Sequence, residues 1–363
     1  MVVCDIKEMM IISRVHVRSW LFACVCCLLF LTACQGEVGQ PVNSMYYWST
    51  VMRMDSAKVH FLQQHHVGKL YVRYFDVVVD DMGEVKPNAT IRLRREGEAK
   101  SPTNADAIPD NLEVIPTIFI VNDVMRKHTD GLADLILKRV LQMNETHGVR
   151  HVSDIQIDCD WSVNTRQHFF AFMKELHQKA NDKGLQLSAT IRLHQLAQKP
   201  PSCDKGVLMM YNTGDFTKYA DEHPILDMQV AGPYLKYLKN YKLPLSTAYP
   251  IFGWDVVFRK VNVRSTLTHH PTPYPSPKRG GEKVSPLTPQ YIYIGIQHFA
   301  EEIPVMPGDT IVRRQPTVQE ILQARKAIEE IRPDANREVI LFDLNNSNVT
   351  RFTTKEYEEI FGH

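Results

Sequence analysis

The stretch Ile155-Gln156-Ile157-Asp158-Cys159-Asp160-Trp161-Ser162 places two acidic residues in an otherwise apolar run. Because side chains alternate between the two faces of a β-strand, Asp158 and Asp160 share one face. Burying two neighbouring carboxylates is costly unless they are hydrogen-bonded or share a proton, and their repulsion raises one pKa. We therefore interpret the stretch as a strand that presents a functional site. The alternative is structural, with one Asp capping the next helix and the other pairing with a buried Arg.

Strand and helix patterns alternate on both sides of this stretch, as in a parallel α/β fold. The predicted strands cover residues 45–50, 69–79, 113–122, 154–160, 185–193, 206–211, 243–250 and 338–344, and the predicted helices 55–66, 129–146, 165–183 and 318–331. A hairpin is expected to turn at residues 81–83. Eight such strands predict a (β/α)8 TIM-type barrel over residues 45–363, with its active site at the C-terminal ends of the strands.

The segment Asp158-Cys159-Asp160-Trp161-Ser162 resembles the fourth-strand signature of glycoside hydrolase family 18, the chitinase-like barrels. That signature reads Asp-x-x-Asp-x-Asp-x-Glu, and its final Glu is the catalytic acid. Asp158 and Asp160 match its last two Asp positions, whereas Ile155 replaces the first Asp and Ser162 replaces the Glu. The resemblance therefore implies a barrel of this family without its acid.

Later segments extend the resemblance in chain order. Met209-Met210-Tyr211-Asn212 is similar to the sixth-strand motif in which Tyr and the adjacent Asp or Asn hold a substrate N-acetyl group. Residues 245–254 are similar to the seventh strand. Residues 341–345 occupy the eighth-strand position, where Phe342 stands in place of the usual Trp.

A sugar site needs aromatic plates for flat apolar faces and hydrogen-bonding groups for hydroxyls. The candidate plates are Trp48, Tyr211, Tyr249 and Trp254, and the candidate acceptors and amides are Asp158, Asp160, Asn212 and Gln229. Arg73 and Arg192 are expected to pair with the two Asp and lower their pKa values. For each aromatic residue taken alone, packing in the core is the competing interpretation.

Two functions from different classes remain open. One is a glycan-binding protein without family-18 catalysis. The other is an active glycoside hydrolase, in which Asp160 or a carboxylate from another strand, such as Asp76 or Asp343, replaces the missing acid. Asp158 and Asp160 are the candidate catalytic pair in that case. No cofactor and no metal ion is expected, because the histidines lack metal-ligand spacing and no Gly-rich phosphate loop is present.

The N-terminal residues predict an export signal. Arg14 and Arg18 precede an apolar run over residues 20–31, which is too short to span a bilayer and suits a signal-peptide core. The run ends in Leu31-Thr32-Ala33-Cys34, which resembles a bacterial lipobox. This resemblance implies a signal peptide over residues 1–33, lipidation of Cys34, a tether over residues 34–44, and a bacterial envelope protein held on the periplasmic or outer side. An uncleaved anchor is the alternative.

The composition is that of an ordinary globular protein, with 44% hydrophobic residues, 23% charged residues and a net charge of +1. This balance gives no support for a nucleic-acid partner, and the oligomeric state stays open. Residues 265–289 alternate Pro with polar residues and predict a disordered insertion without a function of its own. The competing interpretation is a Pro-rich ligand for a partner domain.

Overall fold

A computed structural model of the chain describes residues 41–93, 107–127, 129–261, 290–297 and 304–363. The strands of the barrel, with the short hairpin strand β3, are β1 (Val42–Tyr47), β2 (Val67–Val79), β3 (Val85–Asn88), β4 (Glu113–Ile120), β5 (Asp154–Asp158), β6 (Gln186–Ile191), β7 (Lys205–Met209) and β8 (Leu245–Pro250), and the last barrel strand, β12, spans Glu338–Phe342. The predicted signal peptide and Cys34 lie outside the described residues.

Eight parallel strands close into a barrel. The neighbours run β1, β2, β4, β5, β6, β7, β8 and β12, and the ring closes because β12 also pairs with β1. Strand β3 is the exception, since it returns antiparallel along β2 after the turn at Gly83. The predicted (β/α)8 barrel is confirmed. Strand β1 begins at Val42, so residues 42–44 of the predicted tether belong to the barrel.

Helices follow most barrel strands, and five of the seven in the described residues begin with a side-chain cap. They are α1 (Ser56–Gln64), α2 (Leu132–His147), α3 (Arg166–Asn181), α4 (Met228–Leu235), α5 (Val318–Ile331), α6 (Asn346–Val349) and α7 (Thr354–Phe361), with 3-10 turns at Asn122–Arg126, Leu193–Ala197, Leu238–Asn240 and Pro333–Asn336. Asp55 caps α1 by accepting from the Lys58 N–H at 3.1 Å. In the described part of the chain, no helix is both long and apolar enough to cross a bilayer.

In the chain, a small antiparallel sheet lies between the last two barrel strands, β8 and β12, which pair with each other in the barrel. Its strands are β9 (Trp254–Val261), β10 (Gln290–Gln297) and β11 (Asp309–Arg314), and β9 lies in the centre. The predicted Pro-rich insertion at 265–289 lies outside the described residues. The described residues on its two sides, Val261 and Gln290, are direct partners in the β9–β10 ladder. The chain therefore leaves this sheet and returns to it at the same point.

Two apolar layers hold the fold together. Outward-facing strand residues such as Ile155, Ile157 and Cys159 pack under the helices. The second layer fills the barrel interior and includes Tyr46, Tyr71, Val207, Ala248 and Ile340. The alternation inferred for residues 155–162 is therefore present, and the polar members of that stretch face the barrel interior. Below, "mouth" denotes the C-terminal ends of the strands and "base" the N-terminal ends.

Candidate functional site

Strand β5 carries the two carboxylates to the mouth of the barrel. Asp158 is its last residue and is 3% exposed. Asp160 lies two residues further along, where the chain has left the sheet, and its side chain is 54% exposed. One carboxylate is therefore enclosed among protein groups, whereas the other is open to a ligand.

Arg192 joins the two carboxylates. It follows β6 directly, and its guanidinium donates through Nη2 to Asp158 Oδ1 at 3.1 Å and through Nε to Asp160 Oδ1. Thr190, two residues earlier on the same face, donates its hydroxyl to Asp158 Oδ1 at 2.7 Å. The parallel β5–β6 pairing produces this arrangement, because it sets the polar interior faces of the two strands side by side.

The surroundings separate the pKa values of the two acids. Burial raises the pKa of Asp158, and the charge of Arg192 offsets this only in part. Burial also acts to raise the pKa of Asp160, but the charge and hydrogen bond of Arg192 outweigh it and lower that pKa overall. Asp160 is therefore ionised near neutral pH and cannot serve there as a proton donor.

The expected ion pair of Arg73 with Asp158 or Asp160 is wrong, although the Arg73 charge does act to lower the pKa of Asp158. Arg73 Nε donates to Asp76 Oδ1 at 2.7 Å, and its guanidinium carbon lies 5.3 Å from the ring centre of Trp48. The cause is a β-bulge in β2, where Arg73 pairs with Thr117 while Phe75 pairs with the next residue of β4. The extra residue brings Asp76 onto the same face as Arg73.

Aromatic rings form a continuous wall at the mouth. Phe342 is its centre, with ring centroids 5.4 Å from Trp48, 5.2 Å from Tyr211 and 5.6 Å from Phe252. Trp254 extends the wall, 5.1 Å from Phe252. We call Trp48, Tyr211, Phe252, Trp254 and Phe342 the ring wall. Trp48 and Trp254 are half-buried at its two ends.

Three predicted binding residues belong neither to the ring wall nor to the group of Asp158, Asp160 and Arg192. Tyr249 is fully buried in the outer layer, where its hydroxyl donates to Asn336 Oδ1 at 2.8 Å. Strand alternation explains this, since the neighbouring Ala248 faces the interior. Asn212 is exposed just beyond β7 with φ of +54°. Gln229 is exposed in the first turn of α4.

Ser162, which the sequence resemblance aligns with the catalytic Glu of family 18, belongs to a local turn. Its backbone N–H donates to Thr165 Oγ1 at 2.9 Å, and Thr165 Oγ1 donates to Asn122 Oδ1 at 2.6 Å. This network fixes the segment between β5 and α3 to the segment after β4. The structure thus gives Ser162 a local structural contact at the end of the strand.

Sequence reasoning missed Gln195, which holds the charged pair in place. Gln195 is fully buried, accepts from the Arg192 N–H at 2.9 Å and donates to the Trp161 carbonyl at 3.2 Å. It therefore ties the backbone beside Asp160 to the backbone of Arg192. No sequence signal distinguishes Gln195, because its role depends on the contact between two loops.

Two further titratable groups belong to this region. Burial raises the pKa of Asp343, just after Phe342, to about 6, against a hydrogen bond from Asn348 Nδ2 to its Oδ1 at 2.7 Å. His194 is exposed near Asp160, and burial lowers its pKa although the Asp160 charge acts in the opposite direction. Within the described ranges, no group of three or more His, Cys, Asp or Glu side chains is arranged to hold a metal ion.

The fold of this chain is similar to that of several solved structures. The chain is similar to a GH18 chitinase from Cycas revoluta in complex with (GlcNAc)3, with a TM-score of 0.51, 13% identity and coverage of 88% of this chain and 100% of that one. It is also similar to the Bacillus megaterium QM B1551 spore cortex-lytic enzyme SleL, with a TM-score of 0.50, 13% identity and coverage of 89% and 74%. No family model and no curated protein sequence matches. The chain thus shares the (β/α)8 barrel fold of these two proteins.

Proposed function

We propose that the chain is an envelope-anchored lipoprotein whose barrel binds a glycan at its mouth and lacks family-18 catalysis. The observation that carries this proposal is the ring wall beside Asp158 and Asp160 bridged by Arg192. Rings cover the apolar faces of sugars, while fixed charged groups bind their hydroxyls. The bound (GlcNAc)3 in the Cycas revoluta chitinase supports N-acetylglucosamine oligomers as the first ligands to test.

The absence of family-18 catalysis rests on two residues. Ser162 stands where the resemblance requires a Glu, and a serine hydroxyl does not donate protons near neutral pH. Asp160 carries a lowered pKa, so it does not supply the proton either. A positioned general acid contributes roughly a hundred- to ten-thousand-fold in rate, which this mouth lacks at the family position.

An active glycoside hydrolase is the second candidate, favoured by Asp343. A carboxyl with a pKa of about 6 holds its proton in a useful fraction of molecules near neutral pH. Its charge also acts to raise the pKa of Tyr211, a member of the ring wall. In this alternative Asp343 is the acid and Asp160 the ionised partner.

Calorimetric titration with N-acetylglucosamine oligomers tests the binding proposal. We expect the wild type to bind and Asp160→Ala to lose binding while keeping its melting temperature. Asp134→Ala is the matched control, because Asp134 is an exposed acid on α2 that pairs with Lys179 at 2.7 Å, on the outer face of the barrel. Absence of binding by the wild type would reject this ligand class.

A turnover assay on the same oligomers separates the two candidates. The binding proposal predicts no hydrolysis by the wild type and measurable hydrolysis after Ser162→Glu restores the acid. Hydrolysis by the wild type that disappears in Asp343→Asn would establish the second candidate instead.

The membrane anchor is tested separately. We propose that Cys34 carries the lipid, on the strength of Leu31-Thr32-Ala33-Cys34. Two lipid chains anchor a protein stably, whereas one holds it only weakly. Cys34→Ser should move the chain from the membrane fraction to the soluble fraction, and an unchanged distribution would contradict the proposal.

A further inference from the structure

Arginine side chains flank the ring wall at its Trp254 end. Residues 252–254 lead from β8 into β9, and Gly253 stands between the two aromatic residues Phe252 and Trp254. A Cβ placed on Gly253 would lie 3.0 Å from Nη1 of Arg351, which is tighter than most Cβ contacts. The missing side chain of Gly253 therefore lets the Arg351 guanidinium lie against the backbone that carries the ring wall.

Arg351 lies in the loop between α6 and α7, on the mouth side of β12. Its Nη2 donates to Asn348 Oδ1 at 3.3 Å, and its Nη1 donates to Gln315 Oε1. Both acceptors are neutral amides, and each terminal nitrogen of a guanidinium carries a second N–H. No carboxylate of the described residues lies within ion-pair distance of Arg351. An arginine stays charged at every physiological pH, so no direct ion pair neutralises this charge in that part of the chain.

The neighbouring charges leave Arg351 with a surplus of positive charge. Asp255 attracts it and Arg313 repels it, and burial together with this repulsion lowers the pKa of Arg351. Asp255 is already bound, because Arg313 Nη2 donates to its Oδ2 at 2.8 Å. Arg314, the ladder partner of Trp254, is 6% exposed and donates to a backbone carbonyl at 2.7 Å. Among the described residues, only one of these three guanidinium groups forms an ion pair, the one between Arg313 and Asp255.

A positive charge without an ion pair beside the ring wall favours a ligand that supplies an anion. Burying a cation without such a partner is costly, and guanidinium groups bind carboxylates through parallel N–H donors. The two acids of the mouth lie away from this charge, because β5 and β12 are opposite in the ring of eight strands, with three strands between them on either side. A glycan along the ring wall therefore meets acids at β5 and a positive charge at the Trp254 end.

We infer that Arg351 binds the carboxylate of an acidic sugar, so that the mouth selects acidic over neutral glycans. This inference rests on the proposed glycan-binding function and names the ligand class of that same site. Two kinds of sugar carry such a carboxylate, a uronic acid and a sugar with the carboxylate on an ether substituent, as in N-acetylmuramic acid. The guanidinium recognises the carboxylate in either case, while a sugar ring stacks on the ring wall.

Calorimetric titration of the full chain with oligomers of equal length tests the inference. The neutral ligand is an N-acetylglucosamine oligomer, and the acidic ligands alternate N-acetylglucosamine with glucuronic acid or with N-acetylmuramic acid. We expect at least one acidic oligomer to bind about tenfold more tightly than the neutral one, because a hydrogen bond to a charged group contributes that factor or more. Equal or weaker binding of both acidic oligomers would overturn the inference and leave glycan binding intact. Binding of none of the three would reject the proposed function as well.

Two substitutions of Arg351 separate recognition from structure. Arg351→Gln should lose about tenfold in affinity for the acidic oligomer and much less for the neutral one, whereas Arg351→Lys keeps the charge and should retain part of the preference. Arg325→Gln is the matched control, because Arg325 is a partly buried arginine on α5 that pairs with Glu329 at 2.9 Å. The wild-type comparison does not depend on the folding of any variant. A preference that survives in Arg351→Gln, or an equal loss of acidic and neutral ligands, would overturn the inference.

Discussion

The mouth and the base of the barrel each hold one cation between two acids, but in different surroundings. At the mouth, Arg192 bridges buried Asp158 and exposed Asp160. At the base, Lys205 takes the corresponding place. Its Nζ lies 3.7 Å from the nearer carboxylate oxygen of Glu338, which is 9% exposed.

The carboxylate of Glu338 is saturated by protein groups. It accepts hydrogen bonds from three hydroxyls, those of Ser44 at 2.8 Å, Tyr71 at 2.9 Å and Ser246 at 2.8 Å. Although burial acts to raise its pKa, the charges of Lys205 and Lys69 and the hydrogen bonds from Ser246 and Ser44 lower it overall. Asp160 has no such set of donors. Within the described residues, the side chain of Asp160 accepts a hydrogen bond from Arg192 alone.

The difference in hydrogen bonding between Glu338 and Asp160 distinguishes a group that stabilises the fold from one that is available to a ligand. A carboxylate that is buried and accepts three hydrogen bonds from the protein has little capacity left for a ligand, whereas an exposed one at the mouth has more. In barrels of this type the base contributes to stability and the mouth carries the site. The same charge pattern thus serves two purposes, depending on how completely the surrounding protein satisfies it.

The largest expected effect is at the base. Glu338→Ala leaves three hydroxyls without their acceptor and leaves Lys205 with Asp154 as its remaining acid of the two. The loss of one partner of a buried pair costs about 3–5 kcal/mol. Denaturant unfolding measures it. The control is Glu113→Ala at the same end, whose partly exposed ion pair with Lys69 is worth roughly 1 kcal/mol or less. Equal losses would contradict the comparison.

Asp343 gives the next largest effect, and it depends on pH. Its pKa is raised from 3.8 to about 6, so the folded state binds the proton more tightly than the unfolded state. The resulting stability is present below about pH 4 and is lost as pH rises through 6. Asp343→Asn should match the wild type at pH 4 and exceed it at pH 8 by at most about 3 kcal/mol, measured by urea unfolding. A difference independent of pH would contradict the raised pKa.

The two acids of the mouth should respond differently. Asp158→Ala removes the acceptor of Thr190 and a partner of Arg192, at about 1–3 kcal/mol. Asp160→Ala should change the unfolding free energy by less than about 1 kcal/mol, because the ion pair is exposed on one side. Both variants should lose the glycan. Equal stability losses would show that Asp160 is a structural group.

The smallest effect is expected at the insertion. Joining Val261 to Gln290 through an Asn-Gly turn, with residues 262–289 removed, continues an existing antiparallel pair as a hairpin. The melting temperature should change by no more than a few degrees, since long surface loops contribute little. A large loss would mean that the removed segment packs on the protein.

Strand alternation predicted most of the fold and part of the site. It placed Asp158 and Asp160 on the interior face. Applied in the same way to β8, it also excludes Tyr249 from the set of binding residues, because the adjacent Ala248 faces the interior. It did not predict the partner of Arg73, because the bulge that follows Arg73 in β2 brings Asp76 onto the same face. The sheet of β9 to β11 was missed because the Pro-rich residues separate two of its strands in sequence.

The contacts that join distant loops could not be predicted at all. Gln195 has no distinguishing neighbours in the sequence, and its importance arises only because the ends of β5 and β6 meet. The same holds for Glu338, whose hydroxyl partners come from three other strands. Local patterns predict which face a residue takes, but not which residues face it across the barrel.

The buried amide of Gln195 has a kinetic consequence. Because it fixes the backbone on both sides of the charged pair, an arriving ligand meets groups that are already in position and pays little ordering entropy. Encounter then requires no slow loop closure. We therefore expect ligands of this mouth to share similar association rates and to differ in residence time.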